Sequence, residues 1–185
     1  MRENMSVSCF DRDGLRAFEE LLSLVERYCE EGIIPLNELD EEKMLKLDFF
    51  RLAVPRRSSN DSLAWKMRQF GSEMEIPYVV RFYFRKGKDP EKAIFEYFKE
   101  IGEKAPEEFI EIFREILERA KDLIVCGEEI VDIAMKYKRE PGALISELKG
   151  SGLISPTVGC GSLGKAKAPL YEINRFFAIL LKSED

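Results

Sequence analysis

The sequence predicts a mostly helical α+β protein with small β-hairpins, and three observations carry that expectation. Apolar residues recur at three- and four-residue intervals, as at Leu15, Phe18, Leu22, Val25 and Cys29, which is the spacing of one helix face. Several such stretches open on a start signal: Asp89 followed by Pro90, and prolines at 106 and 141. A short acceptor side chain satisfies orphan backbone N–H groups, and proline's fixed φ suits the first turn. Near the C-terminus, "LISPTV" and "PLYEI" mix β-branched and aromatic residues with polar ones in strand fashion. The piece between them, "GCGSLGKAKA", cannot pack a core and reads as a flexible, positively charged hairpin tip.

In chain order, "DRDGLRAFEELLSLVERYCEE" (11–31) is a helix, with Gly32 suited to the position just past its end. Residues 37–54 admit two readings: a helix capped by Asp40, which is favoured, or a strand over "LDFFRLAV". "PRRSSND" (55–61) is a loop, and 62–74 reads as a helix with Leu63, Met67, Phe70 and Met74 inward. "IPYVVRFYFRKGK" has strong strand character, with Tyr78, Val80, Phe82 and Phe84 on one face and Val79, Arg81, Tyr83 and Arg85 on the other. A helix from Asp89 carries Ile94, Phe98 and Ile101. A longer one runs from Pro106 to about Val125, its stripe of Phe109, Phe113, Ile116, Ala120 and Leu123 fitting either a dimer seam or, over barely two heptads, a core face. Short helices at 127–138 and 141–150, the hairpin, and an apolar helix "RFFAILLKS" complete the chain.

With 185 residues, the chain has room for one large domain or two small ones. A boundary is expected near Lys86–Pro90, giving a mainly helical unit with a basic helix and strand at 1–88 and a second unit at 89–185. Hydrophobic residues make up 45% and charged residues 35%, the balance of a globular chain. No apolar run reaches the roughly 18 residues of a membrane span, and "MRENMSVSCF" lacks the apolar core of a signal peptide. A cytoplasmic location without membrane partners is expected.

Histidine is absent, which removes the commonest general base and metal ligand. Cys9, Cys29, Cys126 and Cys160 form no CxxC pair, so no metal site is expected and reduced, structural thiols are. Cys9 and Cys29 flank a helix roughly 30 Å long and cannot bridge while it is intact. No GxxxxGK[ST] loop occurs. Acidic pairs such as Glu128–Glu129 fit a helix N-terminus. Neither catalysis nor a cofactor is expected. Abundant Glu and Lys beside a single glutamine, Gln69, resembles thermophile composition, in archaea or elsewhere.

Net charge is −6, but charge alternates along the chain: −7 over 1–50, +6 over 51–88, −8 over 89–135 and +3 over 136–185. A local basic surface is enough to meet a polyanion despite an acidic total.

"EEIVDIA", then "GALISELKGSGLI", then "KAKAPLYEIN" give the order helix, turn, helix, strand, glycine-and-lysine wing, strand. Over roughly 107–182 this resembles the winged helix-turn-helix superfamily, nearest to prokaryotic transcription regulators and to the C-terminal winged domain of some archaeal ATPases. The ATPase activity does not carry over, because the phosphate loop is missing. The resemblance implies that helix 141–150 enters the major groove of duplex DNA and that the wing, 159–168, follows the backbone or minor groove. Helical geometry turns Leu144, Ile145 and Leu148 inward. Arg139, Ser146 and Lys149 are then the candidate contacts on the helix side, with Ser162, Lys165 and Lys167 on the wing. The N-terminal half echoes this order, so two tandem winged-helix-like units are expected, with Arg56, Arg57, Lys66 and Arg68 as a second contact block. Trp65 in that block is either exposed or a core plug. The implied function is a DNA-binding transcription regulator, homodimeric through its terminal or long helices. The alternative is a winged-helix subunit that docks a protein partner in a larger assembly.

Overall fold

Helix α1 (Arg12–Arg27) turns Leu21, Leu24 and Val25 into the interior. The chain leaves it through Gly32, whose φ of 75° lets its N–H reach Tyr28 O at 2.8 Å. This computed structural model describes residues 12–57, 64–68, 71, 73–157 and 169–182, with side chains from Arg16 onward. Strand β1 (Ile33–Ile34) leads to α2 (Glu41–Phe50). Asp40 caps α2 by accepting the Lys43 N–H at 2.8 Å, so the helical reading of this stretch holds. Strands β2 (Val54–Pro55) and β3 (Met74–Glu75) complete an antiparallel sheet in the order β1-β3-β2.

Between β2 and β3 the described residues correct the expected helix 62–74. They form a single 3-10 turn at Trp65–Met67, with Met67 exposed and Met74 buried in a strand. Among the described residues, that turn stands where the recognition helix of a first winged unit is expected.

The strand expected at 76–88 is helix α3 (Tyr78–Arg85). Its buried set is Val79, Val80, Phe82, Tyr83 and Phe84, while Tyr78, Arg81 and Arg85 lie outward at helical spacing. β-branched and aromatic residues favour strands only where a sheet receives them. Here Pro77 opens a helix and packing on α4 (Pro90–Glu100) decides the conformation.

The long helix expected from 106 to 125 ends early. Helix α5 (Glu108–Arg119) gives way to a tight turn in which Asp122 and Leu123 take φ of 52° and 61°, and Lys121 and Ile124 exchange two backbone hydrogen bonds at 2.9 Å. That turn releases β4 (Ile124–Cys126), a strand the periodicity concealed. Helices α6 (Gly127–Lys136) and α7 (Pro141–Ser151), strands β5 (Ile154–Thr157) and β6 (Leu170–Ile173), and helix α8 (Arg175–Lys182) follow. The second sheet is antiparallel in the order β4-β6-β5, with Val125 and Pro156 both opposite Tyr171.

One face of this sheet turns Val125, Ile154, Tyr171 and Ile173 into the core. The other is covered by the N-terminal part. Glu172 accepts hydrogen bonds from Arg51 Nε at 3.0 Å and Nη2 at 2.7 Å, and Arg51 also pairs with Asp48. Trp65 is buried there: its backbone N–H donates to Ser155 Oγ at 3.0 Å, and its ring lies 5.6 Å from the Arg51 guanidinium. Asn174 Nδ2 donates to Arg51 O at 3.2 Å and Gly152 O at 3.0 Å. Buried side chains from Leu21 to Leu181 form one continuous core, with Tyr83 edge-on to Phe176 at 5.1 Å across the expected boundary at residues 88 and 89.

Among the described residues the architecture is eight α-helices with two small three-stranded antiparallel sheets, an α+β fold. No helix among them is long and apolar enough to cross a membrane.

Candidate nucleic-acid interface

Helix α7 starts where Glu140 folds back on its own N-terminus, accepting the N–H groups of Gly142 and Ala143. Those two donors hold the Glu140 carboxyl below its ordinary range. Leu144 and Leu148 are fully buried, and Ser151 Oγ donates to Leu148 O at 2.8 Å. The helix stops at Gly152, with φ of 83°; a Cβ there would stand 2.5 Å from Pro77 Cβ, so both backbone and space require glycine.

These constraints leave Gly142, Ala143, Ser146 and Gly150 exposed, with Ile145 and Lys149 half-buried at the edge. Ser146 and Lys149 thus lie where the sequence put them. Lys149 makes no ion pair with another described residue. On one flank Tyr97 Oη comes within 3.4 Å of where a Gly150 side chain would begin. Burial, then the neighbouring Tyr78 and Glu147, pushes the Tyr97 pKa up to about 12. On the other flank is an open groove of about 420 Å³, lined by Gly127, Glu128, Val131, Asp132, Ile145 and Pro169.

Arg139 does not face outward as expected. Its side chain is only 15% exposed and lies 2.9 Å from Glu103, 3.1 Å from Glu108 and 4.0 Å from Glu147. Its guanidinium also stacks 4.2 Å over the Phe109 ring. Burial acts to lower its pKa, but the hydrogen bonds to Glu103 and Glu108 outweigh burial and hold it raised. Glu147 is shifted up, first by burial and then by a hydrogen bond with the Glu103 carboxyl. Counting outward positions along α7 missed this cluster because two of its acids, Glu103 and Glu108, come from the α4–α5 connection and from α5.

The second basic block is partly committed as well. Arg68 is turned in, bonded to Pro55 O at 3.1 Å and to Glu75 at 3.2 Å, with 9% of its side chain exposed. Arg56 pairs with Glu73 and Lys66 lies 3.5 Å from Glu172, both about half-exposed, and Arg57 is exposed. Lys66 and its partner stand on the sheet face opposite Tyr171 and Ile173. The wing candidates Ser162, Lys165 and Lys167, like Cys9 and Cys160, lie outside the described residues. Cys29 is buried and Cys126 half-buried, both as free thiols. Among the described residues no cluster of three or more Cys, Asp or Glu could hold a metal ion.

A protein-family model matches residues 8–184, and the chain belongs to that family. No curated protein and no solved structure matches it.

Proposed function

We propose that residues 108–182 form a winged helix-turn-helix unit and that the protein binds duplex DNA through α7 and the segment between β5 and β6, as a transcription regulator. The order α5, β4, α6, α7, β5, β6, α8 and the sheet order β4-β6-β5 support the fold. The observation that carries the function is the outer strip of α7. Its exposed residues, Gly142, Ala143, Ser146 and Gly150, are all small, while its buried side is anchored by Leu144 and Leu148. A major groove about 12 Å wide admits such a helix closely. Ser146 and Lys149 reach from it, and Ser162, Lys165 and Lys167 follow in the sequence between the two strands. Arg139 and Arg68 drop out of this interface, because each is already bonded inside the protein. To test the reading, gel retardation of genomic fragments at low salt compares the wild type with a Lys165→Glu/Lys167→Glu variant. Weaker retardation by the variant is expected; unchanged retardation counts against the wing.

A second reading, docking of a protein partner, is favoured by the acids around α7. Glu103, Glu108, Glu140 and Glu147 surround its start, and Glu128 and Asp132 line the groove beside Ile145. That surface suits a basic, partly apolar segment better than phosphate. A protein that retards no duplex at low salt, and whose partner is released by Ile145→Glu, fits this reading instead.

A further inference from the structure

We infer that the Tyr97 hydroxyl is a DNA contact, donating a hydrogen bond to a backbone phosphate oxygen beside the C-terminal end of α7. The inference rests on the reading of α7 as a DNA-binding helix. Tyr97 belongs to α4 and is 8% exposed, its ring edge-on to Phe82 at 5.7 Å and to Phe98 at 5.1 Å. Packing therefore fixes the ring, and with it the hydroxyl. The oxygen ends at the surface of α7. It lies 3.4 Å from where a Gly150 Cβ would stand, and no other described atom outside α7 comes within 4 Å of that point. Gly150 is exposed and carries no side chain to cover it. No described residue makes a hydrogen bond with this hydroxyl. Glu147 faces it, but is held by Arg139 and by the Glu103 carboxyl. A phenol this buried is seldom left without a partner. Its acceptor therefore lies beyond the described residues, and the chemistry around it names the class.

Burial first, then Tyr78 and Glu147, pushes the Tyr97 pKa up to about 12, so the group is a donor at every physiological pH. The C-terminal end of a helix offers carbonyls and no free N–H groups, so an anion there depends on side-chain donors. Lys149, beside Gly150, supplies a charge that pairs with no described carboxylate. Tyr78, 50% exposed, stands 6.1 Å from the Tyr97 ring, with the Arg81 guanidinium 5.1 Å over its own ring. Arg81 donates to the backbone carbonyls of Cys29 and Glu30, at 2.9 and 2.7 Å, and to no described carboxylate. Position selects the backbone over the bases. A helix with its side chains is about 10–12 Å across and fills a major groove about 12 Å wide. A group that reaches α7 from the neighbouring α4 then meets the groove wall, which is phosphate.

Fluorescence anisotropy of a labelled genomic duplex with the full chain, at about 50 mM salt and upward, tests this. Tyr97→Phe removes the oxygen and leaves the packed ring. It should raise the dissociation constant about tenfold, the loss of a hydrogen bond to a charged group. The salt slope should stay unchanged, because a neutral donor releases no counterion. Lys149→Glu, which tests α7 itself, should flatten that slope. The Tyr97→Phe melting temperature should match the wild type or rise, because no internal bond is lost. A lower one means that the hydroxyl is bonded within the protein, and overturns the inference. Equal affinity of Tyr97→Phe and wild type, with Lys149→Glu impaired, overturns the inference and leaves the DNA reading standing. A wild type that binds no duplex removes both. Inorganic phosphate at matched ionic strength should not displace the duplex. Displacement that Tyr97→Phe abolishes assigns the hydroxyl to a free anion, and overturns the contact with DNA.

Discussion

Arg139 is held by three carboxylates within 4.0 Å and by the Phe109 ring beneath it, and those contacts determine its role. Freeing it to reach a phosphate would strand acids that are only partly hydrated. Its neighbour Glu147 bears the cost at neutral pH. Because the Glu147 pKa is raised in the folded protein, protonation favours folding. That contribution is complete below the ordinary carboxylate range and is lost as pH rises through the elevated folded value. Glu147→Gln cannot ionise. It should therefore match the wild type near pH 4 and melt higher at pH 8 by about 2–4 °C, the shift that about 1 kcal/mol produces in a chain of this size. Melting curves across that pH range check it.

The Arg51–Glu172 pair makes a different residue-scale case. Both side chains are nearly inaccessible, at 5% and 10% exposure. Glu172→Leu leaves the guanidinium buried beside a single remaining carboxylate, Asp48, and should cost about 3–5 kcal/mol. Adding Arg51→Met should recover only part of that loss, because it removes the stranded guanidinium but leaves Asp48, 21% exposed, without its partner. Urea denaturation of the two single variants and the double variant measures the coupling.

At the scale of elements, the sequence was readable where the signal was local and ambiguous where packing decided. Asp40 and Asp89 cap their helices as their positions suggest, and Pro141 opens α7. Gly32 and Gly152 terminate helices with positive φ. The failures share one cause. In "YVVRFYFR" the residue types favour a strand, yet the outward set Tyr78, Arg81 and Arg85 carries the helical period. Strand β4 was hidden because non-glycine residues, Asp122 and Leu123, make the left-handed turn that precedes it. Arg51 ends α2 with φ of 59° in the same way, leaving no composition signal for the junction it forms. Gly152→Ala should destabilise the protein by about 1–3 kcal/mol, through positive φ and the clash with Pro77 together. A thermal melt reads this directly, and Gly87→Ala, also at positive φ but with open space around it, isolates the steric part.

At the scale of the whole molecule, the N-terminal part is tied to the second sheet. Arg51, Trp65 and Asn174 connect residues more than a hundred positions apart, or nearly so, and cover a sheet face that would otherwise meet water. Of the candidate surface, Ser146 and Lys149 were legible because α7 has a clear inward stripe. Arg139, Arg68 and Lys66 were not, because their acidic partners are distant in sequence. Among the described candidates, Ser146 and Lys149 on α7 and Arg57 stay accessible, while Arg56 and Lys66 are half-exposed in ion pairs.

The central claim is that the outer strip of α7 meets duplex DNA through phosphate contacts, and fluorescence anisotropy of a labelled duplex across a salt series tests it most directly. The wild type should bind at about 50 mM salt and weaken linearly on a log–log plot, and Lys149→Glu should flatten that slope by about 0.9, one phosphate contact. Absence of binding at the lowest salt, or a slope that Lys149→Glu leaves unchanged, would contradict the account.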